Sequence, residues 1–426
     1  MIRAALLALA ASLTLGVTLA AAQPLAITGA RVFPVSSAPI DNATVLIADG
    51  KIVAAGAAVA IPPDARRIDA RGKWVTPGFI HPATSLGVLE VDAVAGTDDS
   101  EAAGDRGVAA AFRTWEALNP ASALWAPANR DGVTHAVVLP GLGGGYSAGQ
   151  AVLVAGQAAL VETLQSPAAD MVRHAPVAMV ASLTTRPAAG ARSRGELMLR
   201  LRELFEDARL FGLKPDAFEG NGLRSLAAGR VHLAALQPVL AGTLPLLVRA
   251  DRAADIHALL GLAREFRLKL IVLGGAEAWQ AADALATARV PVLTGGLTDL
   301  PDSFDELGAT LENAARLRQA GVSVALTTGG ENNFRVRTIR QHAGNAVANG
   351  LPWAEALRAV TLTPAEIFGA ADHLGSLQPG REATLVIWDG DPFELATRAE
   401  RVFVRGRESN EPTREQRLLE RYLPRR

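Results

Sequence analysis

Between residues 74 and 373 the sequence repeats one texture: an apolar run of strand length, then a stretch whose apolar residues fall at helical spacing. The apolar runs occupy 74–80, 132–139, 176–181, 244–250, 268–273, 290–293 and 321–326, with helical patterns over 253–266, 277–288 and 303–320. The runs are continuous rather than alternating, as expected of strands buried on both faces by helices. Seven or eight such units over about 300 residues predict a (β/α)₈ TIM barrel with insertions. A doubly wound open sheet is the alternative. Its nucleotide fingerprint fails here, because Gly141-Leu142-Gly143-Gly144-Gly145-Tyr146 has Tyr146 where the third glycine is needed.

The two ends of the chain read differently. Residues 26–32, 44–47 and 51–56 are short strand patterns, and Asp49-Gly50 between the last two is a hairpin signal. A similar texture returns at 383–388 and 401–406. The ends are therefore expected to pair into one small β-sandwich domain, residues 23–73 with 374–410, beside a barrel at 74–373. The charge-dense tail, 411–426, reads as a solvated helix, and 192–210 as a half-exposed one. The stretches 93–131 and 183–230 read as insertions.

Location is read from the first residues. Arg3 precedes an apolar stretch at 4–19, and Ala20-Ala21-Ala22 supplies the small residues a signal peptidase requires. Residues 1–22 are expected to be a signal peptide, the mature chain to begin at Gln23, and the protein to be exported to the periplasm. An uncleaved anchor is the alternative, but the apolar stretch is short for a span, and no later one is expected to cross a bilayer. Cysteine is absent, which removes disulfides, thiolate chemistry and Cys-ligated metals. A net charge of −1 gives no field to gather nucleic acid.

Three segments carry a resemblance. Trp74-Val75-Thr76-Pro77-Gly78-Phe79-Ile80 resembles the opening of the first barrel strand of the amidohydrolase superfamily. The run from Leu357 to Gly369 is similar to its late helix, and Gly375-Ser376-Leu377-Gln378-Pro379-Gly380 to its closing segment. They occur in the family's order and bracket nearly the whole mature chain, most like the imidazolonepropionase-like branch. The resemblance implies a barrel holding zinc or another divalent metal, and hydrolysis of non-peptide carbon–nitrogen bonds.

The same alignment finds the metal ligands replaced. Where the family carries His-x-His on the first strand, this chain has Ala83 and Ser85, preceded by His81 at the family's Asp position. The fifth-strand His falls on Arg249, the sixth-strand His on Gly274 and the eighth-strand Asp on Gly329. A methyl group cannot ligate, and a guanidinium repels a cation. The seven histidines (81, 135, 174, 232, 257, 342 and 373) include no close pair. No metal cofactor is therefore expected. Metal lowers the pKa of bound water from ~15.7 to ~7, worth roughly 12 kcal/mol, whereas one general base supplies about 10²–10⁴-fold. A metal-free barrel of this kind should not hydrolyse unactivated amides at family rates.

The candidate catalytic set is His81 with Asp251 or Glu331 as its orienting partner. The plain alternative for His81 is a hydrogen-bonded structural residue. Arg249, Arg252, Thr328, Gly149 and Gln150 are the candidate ligand-binding positions. Arg249, Asp251 and Arg252 read either as an ion-pair network filling the old metal space or as an anion pocket. The glycine-rich run 141–150 reads as an anion cradle or an ordinary loop. Two functions follow. One is a non-catalytic homologue that binds a small-molecule ligand, or that associates as a homo-oligomer or with an intact amidohydrolase. The other is a divergent active hydrolase of carbon–nitrogen bonds. An apolar plug or Arg–Asp pairs at the barrel mouth favour the first; an open polar cleft with accessible His81 and Glu331 favours the second.

Overall fold

A computed structural model describes residues 23–142, 152–183, 191–213, 226–297, 301, 303–328 and 335–423. The segment 1–22 lies outside the described residues, as do Gly149, Gln150, Gly329 and Glu331.

Sixteen strands among the described residues form two sheets. The first sheet takes β1 (Leu25–Val32), β2 (Ile40–Ala48), β3 (Lys51–Gly56), β4 (Arg66–Asp69) and β5 (Trp74–Pro77) from the front of the chain. The barrel sheet comprises β6 (Phe79–Thr84), β7 (Val133–Val138), β8 (Val154–Glu162), β9 (Val172–Ser182), β10 (Leu246–Ala250), β11 (Leu270–Gly274), β12 (Val292–Gly295) and β13 (Val324–Thr327). The chain then returns to the first sheet with β14 (Leu385–Trp388), β15 (Ala399–Val404) and β16 (Arg407–Glu408).

In the terminal sheet the order is β16-β15-β14-β5-β1-β2-β3, with β4 added beside β1. Its strands are one hydrogen-bonded sheet, with Ile27, Val45, Ile52, Val75, Leu385 and Phe403 in a core of its own. The apolar run 74–80 is divided between the sheets. Trp74–Pro77 pairs with β1 and β14, and Phe79 opens the barrel. The junction is Gly78, where a Cβ would stand 2.2 Å from Thr134 Oγ1, so only glycine lets the strands pass this closely. Trp388 locks the two parts together. Its ring stacks on Phe79 at 5.2 Å and its indole N–H donates to Thr76 Oγ1 at 2.9 Å.

The barrel sheet runs in the order β6 to β13, and β13 lies back against β6. Strands β9 to β13 are parallel throughout. One strand departs from the expectation: β8 runs antiparallel to both β7 and β9. Its sequence, VAGQAALVE, follows a glycine-rich stretch that reads as loop, and only the single turn of helix Ala168–Met171 separates it from β9. A βαβ pattern therefore had nothing to catch there.

Inside, the barrel is filled by Ile80, Ala83, Val137, Leu160, Val180, Leu247, Ile271 and Leu293, with Phe368 and Leu374 in the same cluster. Full burial of each large side chain contributes roughly 1.5–3 kcal/mol. Helix Ala253–Phe266 shows how the outer layer is made. Ile256, Leu259, Leu260, Leu262 and Phe266 face the sheet, and the helix stops at Arg267, which turns left-handed (φ 58) while Leu268 N–H returns to the Ala263 carbonyl. Among the described residues no helix is long and apolar enough to cross a membrane.

Candidate functional site

In barrels of this architecture the chemistry sits beyond the carboxyl ends of the strands. That rim brings together the ends of β6, β10, β11 and β13, and so most of the residues singled out in the sequence.

β6 carries His81 and Ala83, with Ser85 just beyond its end, and its register against β7 shifts between His81 and Thr84. His81 is fully buried. The Ala83 N–H meets its Nδ1 at 3.4 Å, so the ring proton sits on Nε2 and donates to Thr328 Oγ1 at 3.1 Å, just after β13. Burial pushes the imidazole down to about 3, and the nearby His342 adds to the shift. A ring this deep is neutral at physiological pH. Ala83 packs inside the barrel's apolar cluster, and Ser85 is also buried.

On β10, Arg249 reaches Asp251, Nε to Oδ2 at 3.7 Å. Asp251 Oδ1 also receives the Ala276 N–H at 3.4 Å, and its carbonyl accepts from Glu277 N–H at 2.9 Å. Burial raises the Asp251 carboxyl above the usual range, and Arg249 pulls it back. After β11 the chain turns through two left-handed glycines, Gly274 (φ 87) and Gly275 (φ 62). A Cβ at 274 would lie 2.3 Å from Asp251 Oδ1. The carboxylate thus occupies the space in which any side chain at 274 would begin.

Around this pair lies a wider lattice that the sequence did not announce. Arg194, at the start of helix Arg194–Leu213, pairs with Asp255 at 2.7 Å and with Asp305. Glu277 accepts from Ala253 N–H at 3.1 Å and from Gly308 N–H at 2.8 Å, tying the start of helix Ala253–Phe266 to the loop after β12. Arg252 stands at that helix's N-cap and bears electrostatically on Asp255. His342 is buried on helix Ile339–Ala348, with Nδ1 lacking a partner among the described residues and its pKa lowered to about 4 by burial. It is one of five buried residues on that helix, with Ile339, Arg340, Ala343 and Ala346.

The candidate pairs are therefore only partly assembled. Arg249 and Asp251 meet. His81 and Asp251 do not hydrogen-bond, since each is engaged elsewhere. Glu331, Gly149 and Gln150 lie outside the described residues.

Comparisons with known proteins agree with this fold. Residues 271–412 match the sequence model of the Amidohydrolase family. A solved amidohydrolase structure from Thermotoga maritima superposes with a TM-score of 0.81 at 25% identity, over 91% of this chain and all of that one. An imidazolonepropionase from Mesorhizobium japonicum is 24% identical over 389 residues, 84% of this chain and 89% of its own length. The chain is similar to amidohydrolases in sequence and in fold over most of its length. A shorter stretch of 54 residues, 13% of this chain, is 46% identical to a dihydroorotase from Anaeromyxobacter and covers 12% of that protein.

That likeness makes the donor set at the mouth the deciding chemistry. On the alignment suggested by the sequence, a divalent metal held in the family's manner would take imidazoles at 83, 85, 249 and 274. This chain offers a buried methyl, a hydroxyl, a guanidinium already beside Asp251, and a glycine pressed against that same carboxylate. These residues do not fit the metal. Among the described residues no group of three or more His, Asp or Glu side chains could hold one. Gly329, at the eighth-strand position, lies outside the described residues.

Proposed function

We propose that this protein is an exported, periplasmic amidohydrolase-fold protein that has exchanged its metal centre for an ion-pair lattice and works by binding rather than by hydrolysis. The observation that carries the reading is the placement of Asp251, 2.3 Å from where a Cβ on Gly274 would stand and 3.7 Å from Arg249. A guanidinium–carboxylate pair at the barrel mouth, with His81 buried and committed to Thr328, supports a closed binding scaffold over an open hydrolytic cleft. Arg194, Arg249 and Arg252 suit a small ligand bearing a carboxylate or phosphate, or an acidic loop of an intact amidohydrolase partner.

A second reading, a divergent hydrolase of carbon–nitrogen bonds, is favoured by the raised carboxyl of Asp251, a perturbation common among catalytic acids. Against it, Arg249 stabilises the ionised form and His81 faces another way.

The test is turnover of a panel of cyclic imides and small amides by pure protein supplied with zinc and manganese, run beside affinity capture with homologous subunits that retain His-x-His. Binding scaffold and hydrolase make opposite predictions. Capture, or ligand binding without turnover, fits the proposal; metal-stimulated turnover that Asp251→Asn abolishes would establish the second reading.

A further inference from the structure

The opposite end of the same strands has its own cavity, separate from the mouth. A hollow of about 560 Å³ opens beneath the amino ends of β10, β11 and β12. Ile367 and Phe368 form part of its apolar wall, and Lys269, Arg289 and His174 stand around it. Its carboxylate, Glu366, is already held by Arg358 Nη2, at 2.6 and 2.7 Å. Among the described residues neither Lys269 nor Arg289 has an ion pair or a side-chain hydrogen bond. The hollow therefore carries uncompensated positive charge.

A second hollow of about 550 Å³ lies between helices Ala253–Phe266 and Ala282–Ala288. Leu260, Ala263 and Ala284 line it beside His257, Arg264, Asp283 and Thr287, and it shares Leu268, Ala288 and Val290 with the first. One lobe offers cations, the adjoining lobe a slot whose floor is apolar and whose edges are polar, and each is within the range of small-molecule sites.

We propose that this two-lobed groove is a ligand site for a small amphiphile with one anionic head and an unbranched apolar tail, of the medium-chain fatty acid type. The head sits between Lys269 and Arg289, and the tail runs over Leu268 and Val290 into the slot between the helices. The inference is independent of the proposed function, because it concerns the other end of the barrel. A competing role for the two cations is to complement the carboxyl ends of those helices, where positive charge is favourable. Those helix ends also weaken the field at the head position, so the side chains rather than backbone amides must hold the anion.

Calorimetric titration of the purified chain with decanoate, kept below its micellar concentration, tests this, with decanol and acetate as controls for tail and head alone. The variant Lys269→Gln/Arg289→Gly removes both charges. Glycine suits the left-handed backbone at 289 (φ 54), so the fold should survive. Ala284→Trp fills the apolar lobe from an independent position. Expected are saturable one-to-one binding of decanoate, and a loss of affinity of about tenfold or more in each variant. Decanol and acetate should bind more weakly by a similar factor. The proposal is overturned by absence of saturable binding up to about 1 mM, by equal affinity for decanol, or by a double variant that binds decanoate unchanged.

Discussion

Replacing Gly274 by alanine isolates the packing of Asp251 at the barrel mouth. The new Cβ would stand 2.3 Å from Asp251 Oδ1 and 3.1 Å from its Cγ, so the carboxylate must swing away. Two costs follow. A residue with a Cβ at φ 87 is strained by about 1–2 kcal/mol. Displacing Asp251 forfeits the Arg249 pair and the Ala276 contact; because the Arg249 side chain is 31% exposed, the loss is discounted to about 1–2 kcal/mol. The total is about 2–4 kcal/mol. For a chain of 426 residues this lowers the melting temperature by about 2–5 °C. Thermal melts of wild type, Gly274→Ala, Asp251→Ala and the double variant form a cycle. In the Asp251→Ala background the alanine at 274 meets no carboxylate, and its cost should fall to about half. A Gly274→Ala melt within 1 °C of wild type, or strict additivity in the cycle, would refute the claim that Asp251 fills the ligand position.

Further outcomes follow from other parts of the molecule. His135 is fully buried, with Nε2 unpartnered among the described residues and its pKa lowered to about 3, first by burial and then by Arg173 and Arg405. A histidine depressed in the folded state contributes stability that is present above its unfolded pKa of about 6.5 and lost as pH falls toward 3. His135→Gln should therefore gain on wild type by about 1.4 kcal/mol per pH unit between pH 6 and 4, read from urea midpoints; a constant difference would contradict the burial. Amino-terminal sequencing of protein recovered from an expressing cell's periplasm should begin at Gln23, and a chain starting at Met1 in the membrane fraction would refute the export reading. Deleting residues 411–426 should shift the melting temperature by less than about 1 °C, because helix Arg414–Tyr422 buries no side chain.

The sequence carried the fold further than the site. Parallel strands β9 to β13 are buried on both faces, so each announces itself as a continuous apolar run, and helix Ala253–Phe266 shows its period plainly. Strand β8 went unread because it follows a glycine-rich stretch and only one short helical turn, Ala168–Met171, stands between it and β9. At the site, the sequence sets Ala83, Arg249 and Gly274 at positions where the resemblance calls for imidazoles. What fills the space was only half legible. The Arg249–Asp251 pair is two residues apart on one strand end and could be anticipated. Arg194, Glu277, Asp305 and His342 come from segments distant in sequence, and only the closure of the barrel brings them to the mouth.

Elemental analysis of the purified mature protein, prepared with zinc and manganese supplied and then dialysed, bears most directly on the central claim. An ion-pair lattice in place of the metal predicts folded protein with far less than one metal per chain. Near-stoichiometric zinc or manganese that survives dialysis, and that is lost in Asp251→Asn, would contradict it.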